Sequence, residues 1–210
     1  MVFGVIPALL CITLHELSHG AVAYSLGDDT AKRQGRLTLN PIRHIDIMGL
    51  LMMVFFRFGW AKPVPVNPLN FRRNGITMRG GMALTAAAGP LSNLILGLIF
   101  FLICKIALVN PALPYALVQV TLMVSQINIM LAVFNLLPVY PMDGGRIFSY
   151  FLPDRFLYFV EEHQQKIQLI FMALVLFTPI LDVPLGYAQY AVLKLFDMLT
   201  AIGGFLPQVL

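Results

Sequence analysis

Residues 82–109 contain one charged side chain, Lys105, in 28 positions. As a helix rising 1.5 Å per residue, such a stretch is about 42 Å long, enough to cross the roughly 30 Å hydrocarbon core of a bilayer. Similar apolar runs cover 2–26, 115–137, 167–186 and 187–206. Composition agrees, at 59% hydrophobic and 11% charged with a mean hydropathy of +0.81. A soluble domain has roughly a quarter of its residues charged. In lipid every backbone polar group must be satisfied within the chain, which leaves helices or closed barrels, and the length of these runs selects helices. The expected fold is an all-α polytopic membrane protein with four or five transmembrane helices. The whole chain, 1–210, reads as one membrane-embedded domain. Its core is about 1–150, and C-terminal spans cover about 166–206.

The connection between the first two spans is different. Leu26-Gly27-Asp28-Asp29 ends the first run, with glycine suited to a left-handed cap. Residues 46–58 are apolar but too short to cross, which suits a re-entrant or interfacial segment. GWAKPVPVNPLNF, 59–71, has three prolines and several valines, which excludes a helix and predicts an extended strand or a loop with an exposed edge. Nine of the fourteen Lys and Arg lie in 27–80, which places this connection in the cytoplasm by the positive-inside rule. His15–His19 and Asp143 then lie at the same end of the spans. Cys11 and Cys104 sit within predicted spans and are expected to be buried thiols rather than a disulfide.

The first span carries LHELSHG at 14–20. Ionisable groups inside a span are costly and mark function by default. His15 and His19 are one helical turn apart on one face, able to converge on one metal. Glu16 lies beside them, where it can address a water. Two histidines and a glutamate at this spacing form the zincin pattern. A catalytic zinc needs a third protein ligand and an open position. His44 and His163 lie in polar connections, and Asp182 is at the far end of its span. Cys11, one turn before His15, is possible but competes with packing. Asp143 is the strongest candidate, because Pro141 and Gly144-Gly145 around it permit a sharp turn.

Together, HELSH at 15–19 and NLLPVYPMDGGR at 135–146 resemble the site-2 protease family of intramembrane zinc metalloproteases. AAAGPLSN at 86–93, GRLTLNP at 35–41 and GWAKPVPVNP at 59–68 resemble further segments of its small prokaryotic members. The resemblance covers about 10–150. It implies that His15, His19 and Asp143 bind one Zn2+, that Glu16 is the base, and that Asn135 holds the scissile peptide or its oxyanion. It gives Asn93 a related polar role. Many members carry a span before the HExxH helix, and many carry PDZ or CBS modules. This chain is expected to be minimal or trimmed and to lack those modules.

The expected function is hydrolysis of peptide bonds in or near transmembrane segments of membrane proteins. The expected partners are such substrates and the lipid bilayer, with no nucleic acid. The expected location is a prokaryotic inner membrane, with the site toward the cytoplasm. The rival readings are a silent zinc-binding homologue and, less favoured, a metal transporter.

Overall fold

The architecture is that of a computed structural model describing residues 2–56, 59–72 and 75–200. Among the described residues, eight α-helices follow one another: α1 Val2–Ser25, α2 Thr30–Arg33, α3 Ile47–Phe56, α4 Met78–Val109, α5 Tyr115–Asn135, α6 Asp143–Ser149, α7 Asp154–Phe177 and α8 Asp182–Thr200. Three are long and apolar enough to cross a membrane: Val5–Ser25 of α1, then α4 and α5. With these helices the chain is an all-α, multi-pass membrane protein.

The upper count of four candidate spans among the described residues meets the lower end of the expected four or five, but the C-terminal boundaries differ. The run 167–186 is not one helix. It breaks after Phe177, and α7 and α8 meet at 84°. The break holds Pro179, which cannot continue a helical hydrogen-bond ladder. The pair makes at most one bent span, so the candidate spans among the described residues number three or four. Residues 201–206 of the expected fifth span lie outside the described residues.

α4 is the central helix. Thr77 caps its start by accepting from the Gly80 N–H at 3.0 Å. It packs along α5 and α1, and its buried face is rich in small and polar residues, among them Thr85, Ala86, Gly89, Asn93 and Gly97. In lipid there is no water to drive apolar surfaces together, so close approach and interhelical hydrogen bonds hold helices in place. The Ser125 hydroxyl donates to the Gly97 carbonyl at 2.8 Å across the α4–α5 contact. Farther along, Phe101, Cys104 and Ile129 form a core with Leu193 and Phe196 of α8. There, buried Lys105 pairs with Asp197 at 2.7 Å and donates to Thr200 at 3.0 Å.

The connection between α1 and α4 lies against the end of α1. α3 has ten residues, about 15 Å of helix, so it cannot cross a bilayer. It exposes Ile47, Met48, Leu51 and Phe55, as an interfacial or re-entrant helix would. The expected strand at 59–71 is reduced, among the described residues, to one antiparallel bridge between Ile45 and Ala61. The loop alternative describes the rest: chain without ladder partners, since Pro63, Pro65 and Pro68 have no N–H to continue one, ending in a 3-10 turn at Pro68–Asn70.

Asp28 fixes this chain to α1. Its fully buried carboxylate accepts from the Asn67 N–H at 2.7 Å, the Asn70 amide at 2.9 Å and the Thr30 N–H at 3.1 Å. Burial pushes the carboxyl up, but these hydrogen bonds and that of the Thr30 hydroxyl outweigh it and hold it below the usual range. The preceding Gly27 has φ +109°, the left-handed conformation expected there. A Cβ at Gly27 would lie 3.1 Å from the Asn70 carbonyl oxygen.

Candidate metal centre

Three chain segments build the site. α1 supplies His15 and His19, α4 supplies the wall behind them, and the turn after α5 returns the chain as α6, which starts at Asp143. That turn is tight, with a cis Tyr140–Pro141 bond. A Cβ at Gly144 would lie 2.3 Å from the Leu136 and Leu137 carbonyl oxygens, so α6 folds directly onto the end of α5. Arg79, at the start of α4, secures this corner. It donates to the Ser149 carbonyl at 3.0 Å and to the Leu152 carbonyl, and it pairs with Asp154 at 2.9 Å.

The result is a triangle of ligand atoms. His15 Nε2 and His19 Nε2 lie 3.0 Å apart, and Asp143 Oδ2 is 3.1 and 3.2 Å from them. Tetrahedral zinc, at about 2.0–2.2 Å from each ligand atom, sets such atoms about 3.3 Å apart. The triangle needs to expand by only a few tenths of an ångström.

The surrounding hydrogen bonds fix which ring atoms carry protons. His19 Nδ1 is 2.7 Å from the Thr85 carbonyl, which can only accept, so Nδ1–H donates. The Asn128 amide donates to the Val124 carbonyl at 2.9 Å. Its oxygen therefore accepts from Asn93 Nδ2 at 2.9 Å. That leaves Asn93 Oδ1 to accept from His15 Nδ1–H at 2.5 Å. In the neutral rings both Nε2 atoms then present lone pairs. Two lone pairs and a carboxylate oxygen face one point, and Asp143 Oδ2 is buried with no hydrogen-bond donor. Such a set is repulsive until a cation fills it, so the residues fit a metal ion. Among the described residues, this is the only group of three such ligands close enough to share one.

Gly89 makes the arrangement possible. A Cβ there would lie 2.4 Å from His19 Nε2 and 2.6 Å from His15 Cε1. Only a residue without a side chain lets α4 back directly onto both rings.

The remaining candidates divide. Glu16 and Asn135 line a cavity of about 490 Å³ with His15, Trp60 and Phe134. The Glu16 carboxylate accepts the Val64 N–H at 2.8 Å. The Asn135 amide donates one N–H to the Leu131 carbonyl at 2.8 Å. Asn93 lies behind His15 rather than in this cavity. Cys11 is not among the clustered ligands. Its sulfur accepts from Asn128 Nδ2 at 3.1 Å, so it packs at the back of the network. His44 is buried and hydrogen-bonded to the Thr38 carbonyl, His163 is stacked on Phe159, and Asp182 begins α8. Sequence reasoning missed Asn128. Its one signal is an amide in the middle of an apolar span.

Comparison with known proteins gives the same direction. The signature of peptidase family M50 matches residues 76–179. That region holds Asp143 and Asn135 but not the helix with His15 and His19. YwhC of Bacillus subtilis, named as a candidate zinc metalloprotease, is 44% identical over 158 residues, which cover 73% of this chain and 70% of YwhC. The zinc metalloprotease MJ0392 of Methanocaldococcus jannaschii is 28% identical over 70% of this chain and 33% of its own length. Rip2 of Mycolicibacterium smegmatis, also named as a candidate zinc metalloprotease, is 27% identical over 65% of this chain and 52% of its own. No solved structure matches the chain significantly. With a relative this similar matched over most of both chains, the protein belongs to peptidase family M50, the site-2 protease family.

Proposed function

We propose that the protein is an intramembrane zinc endopeptidase that cleaves membrane proteins in or near a transmembrane segment. The observation that carries this reading is the convergence of His15, His19 and Asp143 on one point beside a cavity lined by Glu16 and Asn135. The two Nε2 atoms and the Asp143 carboxylate would hold one zinc per chain. Bound there, it would supply the Lewis acidity that makes a water acidic near neutral pH.

The chain's own residues do the rest. Glu16 adjoins His15 and faces the cavity, so its carboxylate takes a proton from the attacking water and later returns it to the leaving amine. The second N–H of the Asn135 amide, not committed to Leu131, donates to the oxyanion. Asn93 and the Thr85 carbonyl keep the imidazoles oriented, as partners behind metal ligands do. The cavity walls include Ile12, Leu131, Phe134 and Met172, which suit an apolar peptide. A transmembrane helix hides its carbonyls in its own hydrogen bonds, so a substrate must unwind before it enters.

The concentration of Lys and Arg in 27–80 supports a cytoplasmic site. The bacterial and archaeal relatives support a prokaryotic cell membrane. The test compares wild type and Glu16→Gln in detergent with a single-span substrate. Wild type should cleave and lose activity to a chelator. Glu16→Gln should keep about one zinc and lose about 10³-fold or more in rate, within the range of general-base effects. Equal cleavage by both proteins would contradict the reading.

A further inference from the structure

Arg36 is buried, 7% exposed, and forms no ion pair among the described residues. A buried cation without a counter-charge is costly, and Arg36 has no role in the proposed chemistry. Its Nη2 donates to the Lys62 carbonyl at 2.7 Å and to the Pro63 carbonyl at 3.3 Å. The peptide that begins with the Pro63 carbonyl ends in the Val64 N–H, and that N–H donates to Glu16.

One trans peptide therefore stands between Arg36 and Glu16. Its C=O and N–H point to opposite sides. The carbonyl end meets the cation and the amide end meets the carboxylate, so the peptide dipole is aligned with both charges. Hydrogen bonds in such a chain polarise and strengthen one another. The sequence restricts the donor. In Pro63-Val64-Pro65 only Val64 has an N–H. The fold also brings this strand close. Gly20 lies one turn after Glu16 on α1, and a Cβ there would press on Val64 Cγ1 at 3.1 Å and Leu37 Cδ1 at 3.2 Å.

We infer that Arg36 is a positioning residue for Glu16, acting through the Pro63–Val64 peptide to set the carboxylate's direction in the cavity. The inference rests on the reading of Glu16 as base. A mere loop anchor would hold the connection in place but would not tie turnover to the Val64 hydrogen bond.

The experiment uses Arg36→Gln, Arg36→Lys and Val64→Pro in the full chain. It reads zinc content, kcat and KM on a single-span substrate, and hydrogen exchange of the Val64 amide, isolated between two prolines that have none. Losing a hydrogen bond to a charged group predicts a fall of about 10- to 100-fold in kcat for Arg36→Gln and Val64 exchange faster by a similar factor. Zinc content and KM should stay near wild type. Arg36→Lys should recover part of both effects, because it restores the charge but not the planar fork. Val64→Pro, which leaves Arg36 in place, should lose kcat similarly, and adding Arg36→Gln to it should cost little more. Wild-type kcat in Val64→Pro would overturn the inference. So would wild-type Val64 exchange in Arg36→Gln, or a loss confined to KM or zinc content. Faster Val64 exchange in Arg36→Gln alongside full cleavage by Glu16→Gln would support the link while overturning Glu16 as base.

Discussion

The two ends of the chain are packed by different means. Around the candidate metal centre, α1, α4, α5 and α6 meet through glycines and buried amides, with Gly89 against both imidazoles and Asn93 and Asn128 fully buried. The α7–α8 pair is attached more sparsely. In α7 the buried residue is Phe171, near Phe134 at 6.0 Å. α8 is held by Leu185, Leu193 and Phe196 and by the Asp197–Lys105 pair. Phe156, Phe159, Leu169, Ile170 and Tyr187 are exposed, as suits surfaces that face lipid. Glycines and buried amides hold side-chain geometry at the site, whereas the core of Phe101, Cys104 and Ile129 with Leu193 and Phe196 is packed by apolar side chains. Elsewhere a few anchors suffice.

Four substitutions would break or sharpen this contrast. The largest effect is expected for Gly89→Ala. Its Cβ would overlap both imidazoles, so zinc content should fall to a small fraction of one per chain and cleavage should disappear. Zinc analysis of the purified variant checks this, and full occupancy would show that the helices yield more than this packing implies. Next is Asp197→Ala. It removes the carboxylate that neutralises buried Lys105, a loss of about 3–5 kcal/mol by the usual cost of breaking a buried pair. Denaturant unfolding in detergent measures it. Zinc content of the folded fraction should not change, because the pair anchors α8 and not the site.

A smaller effect is expected for Asp28→Asn, which leaves buried donors facing an amide, at about 1–3 kcal/mol. It also carries a pH signature. The folded carboxyl of Asp28 is held below the usual value, so its contribution is full above about pH 4 and drains away as pH falls through the lower folded value. Thermal unfolding of wild type and variant should therefore converge in acid and diverge above about pH 4. A constant difference across that window would show that the carboxylate's charge is not what matters. The smallest effect belongs to Gly186→Ala in α8, where a Cβ meets nothing within 4 Å. Alanine should be neutral or stabilising by up to about 1 kcal/mol, with zinc content unchanged. The same chemical change at 89 and 186 thus gives opposite outcomes.

The cluster of His15, His19 and Asp143 was legible because its signals are local. HELSH states two imidazoles one turn apart, and PMDGG states a sharp turn with a short carboxylate. Glu16 and Asn135 followed from the same motifs, and the structure brings both to one cavity. Long-range pairing was not legible. Asn128 is an isolated amide in an apolar span, and it matters only because Asn93 stands opposite it, 35 positions away. Lys105 was noticed, but its partner Asp197 lies 92 positions on. The bend after Phe177 was missed for another reason. Hydropathy averaged over 167–186 hides Pro179, although that proline is the local stop signal. Of the two forms expected at 59–71, strand or loop, the loop prevails apart from one bridge, since the valines that favour pairing alternate with prolines that prevent it.

The central claim is that two imidazole nitrogens and the Asp143 carboxylate hold the metal, with Cys11 behind them. Zinc X-ray absorption on the purified protein tests it most directly. The account predicts one zinc per chain, with nitrogen and oxygen ligands at about 2.0–2.2 Å. A sulfur ligand at about 2.3 Å would put Cys11 in the site and contradict the account. So would a protein that retains no zinc when purified without chelator.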